Sequence, residues 1–155
     1  MLIYNVFLLV NILIGLIILY SPFFKDKHRD NLYLIISFLM LSFLGGLRAR
    51  NVGTDTSAYL EIFNLIKHTN NFFEIINLNY EIGYIFLNKF ISIWGGNGQT
   101  LLFITSIGIS FGFIYFIKMH SPNILLSVFL LITLYNYYAS FNAIRQYIAI
   151  VIILN

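Results

Sequence analysis

Charged side chains lie only within positions 25–30 and 48–89 and at 118 and 145, and the sequence between them is almost unbroken apolar chain. The charge-free runs cover 1–24, 31–47, 90–117, 119–144 and 146–155, which is 24, 17, 28, 26 and 10 residues. A helix rises about 1.5 Å per residue, so crossing about 30 Å of hydrocarbon takes roughly 20 residues. The first run is long enough on its own. It is not a signal peptide, because no basic residue precedes it and no small-residue cleavage site follows. The second reaches spanning length if Asp30 and Arg48 snorkel at its ends. Gly95-Gly96-Asn97-Gly98 signals a loop and leaves Gln99–Ile117 as a third span. Pro122 opens a fourth, from about Asn123 to Ala139. A fifth begins near Phe141 and is still apolar at Asn155. This last segment is roughly 22 Å long by the helical rise and has no cap. Residues 1–155 therefore read as a single transmembrane domain, the N-terminal part of a longer protein, truncated at Asn155.

The segment 48–80 is the only polar stretch of size. Lys25, Lys27 and Arg29 are crowded between the first two helices, and the positive-inside rule puts them in the cytoplasm. The 48–80 loop is then non-cytoplasmic, at headgroup level. Within it, Val52-Gly53-Thr54-Asp55 resembles a turn entering a helix, with Thr54 or Asp55 as N-cap. Tyr59, Ile62, Phe63 and Ile66 follow at i, i+3, i+4 and i+7, which predicts a short amphipathic helix ending near His68, broken by Asn70-Asn71. Tyr80–Trp94 has two readings. Glu81, Tyr84, Asn88 and Ser92 line one face and Ile82, Phe86, Phe90 and Ile93 another, so it is either a tilted span or a re-entrant helix. If it crosses, Lys118 is outside and Arg145 inside; if not, the two exchange sides.

Composition narrows the class. The chain is 59% hydrophobic and 10% charged, with a mean hydropathy of +0.85. A soluble domain carries about 25% charged residues, so a soluble enzyme, a disordered chain and a collagen are excluded. The fold class expected is all-α, a polytopic membrane helix bundle of about five or six hydrophobic helices plus an amphipathic outer-face segment. The net charge of +3 comes from residues scattered between apolar runs, so no nucleic-acid partner is expected. The absence of Cys removes thiolate chemistry. His28, His68 and His120 lack ligand spacing, so neither a metal site nor a cofactor is expected. There is no P-loop, dinucleotide fingerprint or nucleophile elbow.

Chemistry must come from polar groups near the bilayer. Arg145 stands between two apolar runs, where a charge costs about 2.5–3.5 kcal/mol at the bilayer centre. It is either an interface anchor or an anion contact, with Asn142 and Gln146 beside it. Arg48 and Arg50 end the second helix on the outer face, against the positive-inside preference. With the Gly53 turn and the following helix start they form an anion corner. Asp55 and Glu81 are the carboxylates placed beside these arginines, while Glu61 and Glu74 lie in less patterned surroundings. Either of the first two suits a general base, and each equally suits a helix start.

The residues now carry a resemblance. Gly46-Leu47-Arg48-Ala49-Arg50-Asn51-Val52-Gly53-Thr54-Asp55-Thr56, followed by Tyr59 and Phe63, resembles the signature of the EpsG family of Wzy-type polysaccharide polymerases. Glu81-Ile82-Gly83-Tyr84 with Leu87-Asn88 resembles its second motif, Ile82 standing where the family often has Pro. Ser140-Phe141-Asn142 with Ile144-Arg145-Gln146 and Ala149 resembles its third. The resemblance implies a multi-pass protein of the bacterial plasma (inner) membrane. Its implied partners are an undecaprenyl-pyrophosphate-linked oligosaccharide, membrane lipids and other polysaccharide-assembly membrane proteins. The implied activity is a membrane glycosyltransferase reaction that polymerises repeat units for capsule, O-antigen or exopolysaccharide. Arg48, Arg50 and Arg145, with Tyr59 and Gln146, would bind the substrate, and Asp55 or Glu81 would serve as base. The alternatives are a non-enzymatic transporter of lipid-linked sugar or solute, and an inactive fragment.

Overall fold

A computed structural model describes residues 2–21, 26–69 and 80–155. The expected break at Asn70-Asn71, Glu74, Pro22 and Lys25 lie outside the described residues. The described chain is all-α. Its helices are α1 (Leu2–Tyr20), α2 (Asp26–Gly46), α3 (Thr56–His68), α4 (Ile82–Ile93), α5 (Gly98–His120), α6 (Ile124–Thr133), α7 (Asn136–Ala139) and α8 (Ile144–Leu154). Two segments, Ile3–Tyr20 and Gly98–His120, are long and apolar enough to cross a membrane. α2 has the length of a span at 21 residues, but its first turn is charged. α4, α6 and α8 are 10 to 12 residues each, which is short for a crossing.

α2 and α5 form the centre of the bundle and run antiparallel. At one end, Gln99 of α5 donates to the carbonyls of Gly46 and Arg48. At the other, Ser121 and Pro122 share a pocket with Leu19, Tyr20 and Arg29. We call these the Arg48 end and the Arg29 end. Small residues let the two helices approach closely, as is usual between apolar helices. Ser106 Oγ donates to the Ser42 carbonyl at 3.0 Å. A Cβ on Gly45 would sit 2.6 Å from the Tyr137 hydroxyl, so that hydroxyl fills the space the glycine leaves. Tyr137 itself donates to the Leu41 carbonyl at 2.6 Å. α1 is tied to α2 by a buried polar set, in which Tyr33 donates to Asn11 Oδ1 at 2.9 Å and Asn11 Nδ2 donates to Ser37 at 3.2 Å. Such bonds between apolar helices contribute about 0.6 kcal/mol each.

The loop at 95–98 has the expected place, and α5 starts there with a capping box between Asn97 and Thr100. The fourth expected span is shorter than its apolar run suggests. α6 ends at Thr133, and Tyr135 adopts a left-handed φ of 67°. Such a conformation costs a non-glycine residue roughly 1–2 kcal/mol. The break lets Tyr137 and Tyr138 turn inward, where both are buried. The fifth segment is helical from Ile144 rather than from Phe141. It runs parallel to α5, with Ile144 near Leu102 and Val151 against Gly112.

The two readings of Tyr80–Trp94 are resolved in terms of the bundle. Lys67 Nζ at the end of α3 donates to the Gly96 carbonyl at 3.0 Å, and a Cβ on Gly98 would meet Leu60 of α3 at 2.6 Å. Glu81 pairs with Arg145 at the start of α8. Both ends of α4 therefore stay at the Arg48 end, and the helix does not run from one end of the bundle to the other.

Candidate functional site

The three sequence motifs, far apart along the chain, converge at the Arg48 end. α3 starts there because Gly53 reverses the chain. Its φ is +89°, a region that glycine enters without cost. The side chain of Asn142 closes this turn, its Oδ1 accepting the Thr54 N–H at 2.8 Å. The Asn142 carbonyl accepts the Tyr59 hydroxyl at 3.2 Å. Motif one is thereby fixed to motif three. A Cβ at Gly53 would stand 2.7 Å from Asn142 Oδ1 and 2.9 Å from Thr56 Oγ1. Gly53→Ala is expected to destabilise the protein by about 1–3 kcal/mol through left-handed strain and this clash. Thermal unfolding of the detergent-solubilised protein checks it; an unchanged midpoint would mean that the turn is free to relax.

Arg48 and Arg50, expected to end the second helix, both lie just beyond it, and they diverge. α2 stops at Gly46. Arg48 turns inward and is only 6% exposed. Its Nη1 donates to the Gly45 carbonyl at 2.9 Å and its Nε to Thr56 Oγ1 at 3.4 Å. The guanidinium lies over the Phe141 ring, 4.6 Å from the centroid. Its Nη2 is buried and has no hydrogen-bond partner among the described residues. Burial lowers its pKa to about 10, so it remains charged at pH 7. A buried charge with an unused donor is costly unless an anion meets it. Arg50 points outward and pairs with Glu61 at 2.6 Å, both side chains being mostly exposed. Glu61 is thus a partner of the motif, not a bystander in unpatterned surroundings. An exposed pair of this kind contributes little to stability, about 0–1 kcal/mol.

Arg145, the second residue of α8, pairs with Glu81 at the start of α4. Its guanidinium also faces the rings of Tyr80 and Tyr84, at 5.3 and 5.9 Å. Tyr59 and Tyr84 meet edge to face, 6.1 Å apart. Glu81 has its carboxyl held below the ordinary value of 4.5, first by a hydrogen bond to its own backbone N–H; burial opposes this and Arg145 adds to it. A depressed carboxylate is a poor proton acceptor at neutral pH. Its charge and its pairing with Arg145 persist above pH 4.5 and are lost as acid titrates it.

Asp55 occupies the N-cap position of α3, but its side chain makes no capping bond. Instead Thr56 Oγ1 donates to the Val52 carbonyl at 2.6 Å. Asp55 is exposed, and no ion pair reaches it among the described residues. Gln146 is exposed beside Arg145. The site also contains Asn142, Tyr80, Tyr84 and Phe141, to which the sequence reading gave no role in binding or catalysis. Asn142 and Phe141 were visible as part of the third motif and Tyr84 as part of the second, on the face it shares with Glu81; nothing in the spacing of Tyr80 marked it.

An all-α chain with such apolar helices and a cluster of arginines, carboxylates and tyrosines at one end is a membrane protein. The chain belongs to the EpsG family, whose model matches residues 31–155. No curated protein and no solved structure matches it.

Proposed function

We propose that the chain is the part of a polysaccharide polymerase that joins lipid-linked repeat units at the outer face of the bacterial plasma membrane. The observation that carries this reading is the convergence of the three motifs around Arg48, Asn142 and the Arg145–Glu81 pair. In the reaction, an acceptor-sugar hydroxyl oxygen forms a bond to the anomeric carbon of the donor. The carbon–oxygen bond to the lipid pyrophosphate breaks, and the hydroxyl proton passes to a base. The leaving pyrophosphate gathers negative charge, and fixed guanidinium donors stabilise it. Arg48 has a free donor for this role. Arg50 and Arg145, each paired with a carboxylate, flank it, Gln146 contacts sugar, and Tyr59, buried with its hydroxyl on the Asn142 carbonyl, holds the site together. Asp55 is the better base, since Glu81 is engaged in holding Arg145.

The bundle is multi-pass, with the Arg29 end in the cytoplasm. α1, α2 and α5 cross, and α6 with α7 crosses as one broken element. The site then faces outward, where lipid-linked repeat units are joined without nucleotide sugars. Cysteine at Asn97 in the full-length protein is expected to react with a membrane-impermeant thiol reagent in intact cells, and cysteine at Pro122 only after permeabilisation. The reverse pattern would place the site on the wrong face. Deletion of the gene is expected to leave single repeat units on the lipid carrier, with polymer restored by the wild-type gene. Normal polymer in the deletion strain would end the polymerase reading.

A further inference from the structure

At the Arg48 end, a groove of about 740 Å³ runs between α1 and α2. Its walls are Tyr4, Phe7, Met40, Phe43, Leu44 and Leu47, and Arg48 and Ala49 close it. The walls are apolar and face outward: Phe43 is 50% and Leu47 66% exposed. The cation that closes the groove is the buried guanidinium whose Nη2 lacks a partner among the described residues. Beyond it, Ala49 is shared with a second, polar hollow lined by Arg50, Asn51, Gly53, Thr54 and Ser57. Apolar wall, buried cation and polar hollow thus follow one another along one path.

We infer that this groove holds the hydrocarbon chain of a prenyl pyrophosphate sugar donor, with the pyrophosphate on Arg48 and the saccharide in the hollow beyond Ala49. The inference rests on the polymerase reading and deepens it. The order of chemistry along the path selects the occupant. A ligand that matches it carries a long apolar tail, then concentrated negative charge, then a hydroxyl-rich group. A zwitterionic phospholipid sets an ammonium beside its phosphate, and phosphatidylglycerol offers one phosphate and a short glycerol where this donor offers two phosphates and a saccharide. The division of labour among the arginines follows. Arg48 meets the lipid-side phosphate, because it alone borders the groove. Arg50 borders the hollow and lies on the sugar side. Arg145, paired with Glu81, serves the tyrosine-lined part of the site. Fork geometry on the guanidinium suits a phosphate better than an ammonium would.

The test uses the full-length protein in nanodiscs, with a benzophenone amino acid replacing Phe43 in the groove or, as control, Phe86 on the exposed side of α4. Undecaprenyl pyrophosphate carrying one N-acetylglucosamine is added as probe, the sample is irradiated, and the adduct is weighed by intact mass spectrometry. The Phe43 position is expected to give at least tenfold more adduct than the Phe86 position. Excess phosphatidylglycerol is expected to leave it in place. Arg48→Met should lower it at least tenfold. Ala49→Trp, at an exposed position that tolerates bulk, should also block it, so the test survives if Arg48→Met does not fold. Equal adducts at both positions, displacement by phosphatidylglycerol, or an adduct indifferent to Ala49→Trp would overturn the assignment. A protein that polymerises repeat units without a groove adduct loses this inference alone. One that gives the adduct and makes no polymer keeps the groove and loses the polymerase reading.

Discussion

Arg48→Lys in the full-length protein is expected to cut polymer yield per folded molecule by about 10- to 100-fold, while Arg50→Lys costs less than about fivefold. The difference comes from their surroundings. Arg48 is buried, spends one donor on the Gly45 carbonyl, lies flat over Phe141 and keeps Nη2 unused. Lysine keeps the charge but cannot hold a backbone carbonyl, stack on a ring and present a second donor together. Losing a charged hydrogen bond costs about 1.5–3 kcal/mol, which is the source of the expected range. Arg50 is exposed and already paired with Glu61, so a lysine there preserves most of what it does. The measurement is polymer amount and length distribution, normalised to monodisperse protein on gel filtration. Equal losses for both substitutions, or none for Arg48→Lys, would mean that Arg48 is a structural anchor of the α2–α3 turn.

The second large effect belongs to the carboxylates. Asp55→Asn is expected to lower the polymerisation rate by about 100- to 10,000-fold, the usual contribution of a general base. Glu81→Gln should be milder, because Glu81 is engaged with Arg145 and its pKa is depressed, first by its own backbone N–H. Its loss also frees Arg145, so Glu81→Gln should be worsened by little when Arg145→Gln is added. Asp55→Asn should be made worse by the same addition. Initial rates with a fixed lipid-linked substrate decide the ranking. A near-silent Asp55→Asn together with a severe Glu81→Gln would move the base to Glu81.

Much of the fold is legible in the charge map. Charge-free runs locate α1, α2 and α5, and the i, i+3, i+4, i+7 pattern of Tyr59, Ile62, Phe63 and Ile66 locates α3, whose buried face includes Tyr59, Phe63 and Ile66. The break at Tyr135 is not legible. No Gly or Pro marks it, and it exists because Tyr137 finds the Leu41 carbonyl and Ser106 across the bundle. That is a tertiary cause with no local sign. For the candidate site, the residue types and motifs were visible but their pairing was not. Arg48 and Arg50 are two apart just beyond a helix end, and spacing does not say which turns inward. Glu61 is eleven residues from Arg50 and reaches it only because the Gly53 turn folds α3 back. Glu81 and Arg145 are 64 residues apart, and their contact depends on α4 staying at one end of the bundle. Periodicity alone left that open.

The central claim is that the convergent arginines and carboxylates make glycosidic bonds and do not merely carry a lipid-linked sugar. Full-length protein reconstituted in liposomes with a single purified lipid-linked repeat unit tests it most directly. Products released by mild acid are separated by mass. The account predicts a ladder at integer multiples of the repeat unit, with free lipid pyrophosphate accumulating in step, and both lost in Asp55→Asn. Unit-length product alone, from vesicles in which the same protein moves the lipid-linked unit between leaflets, would contradict it and identify a transporter.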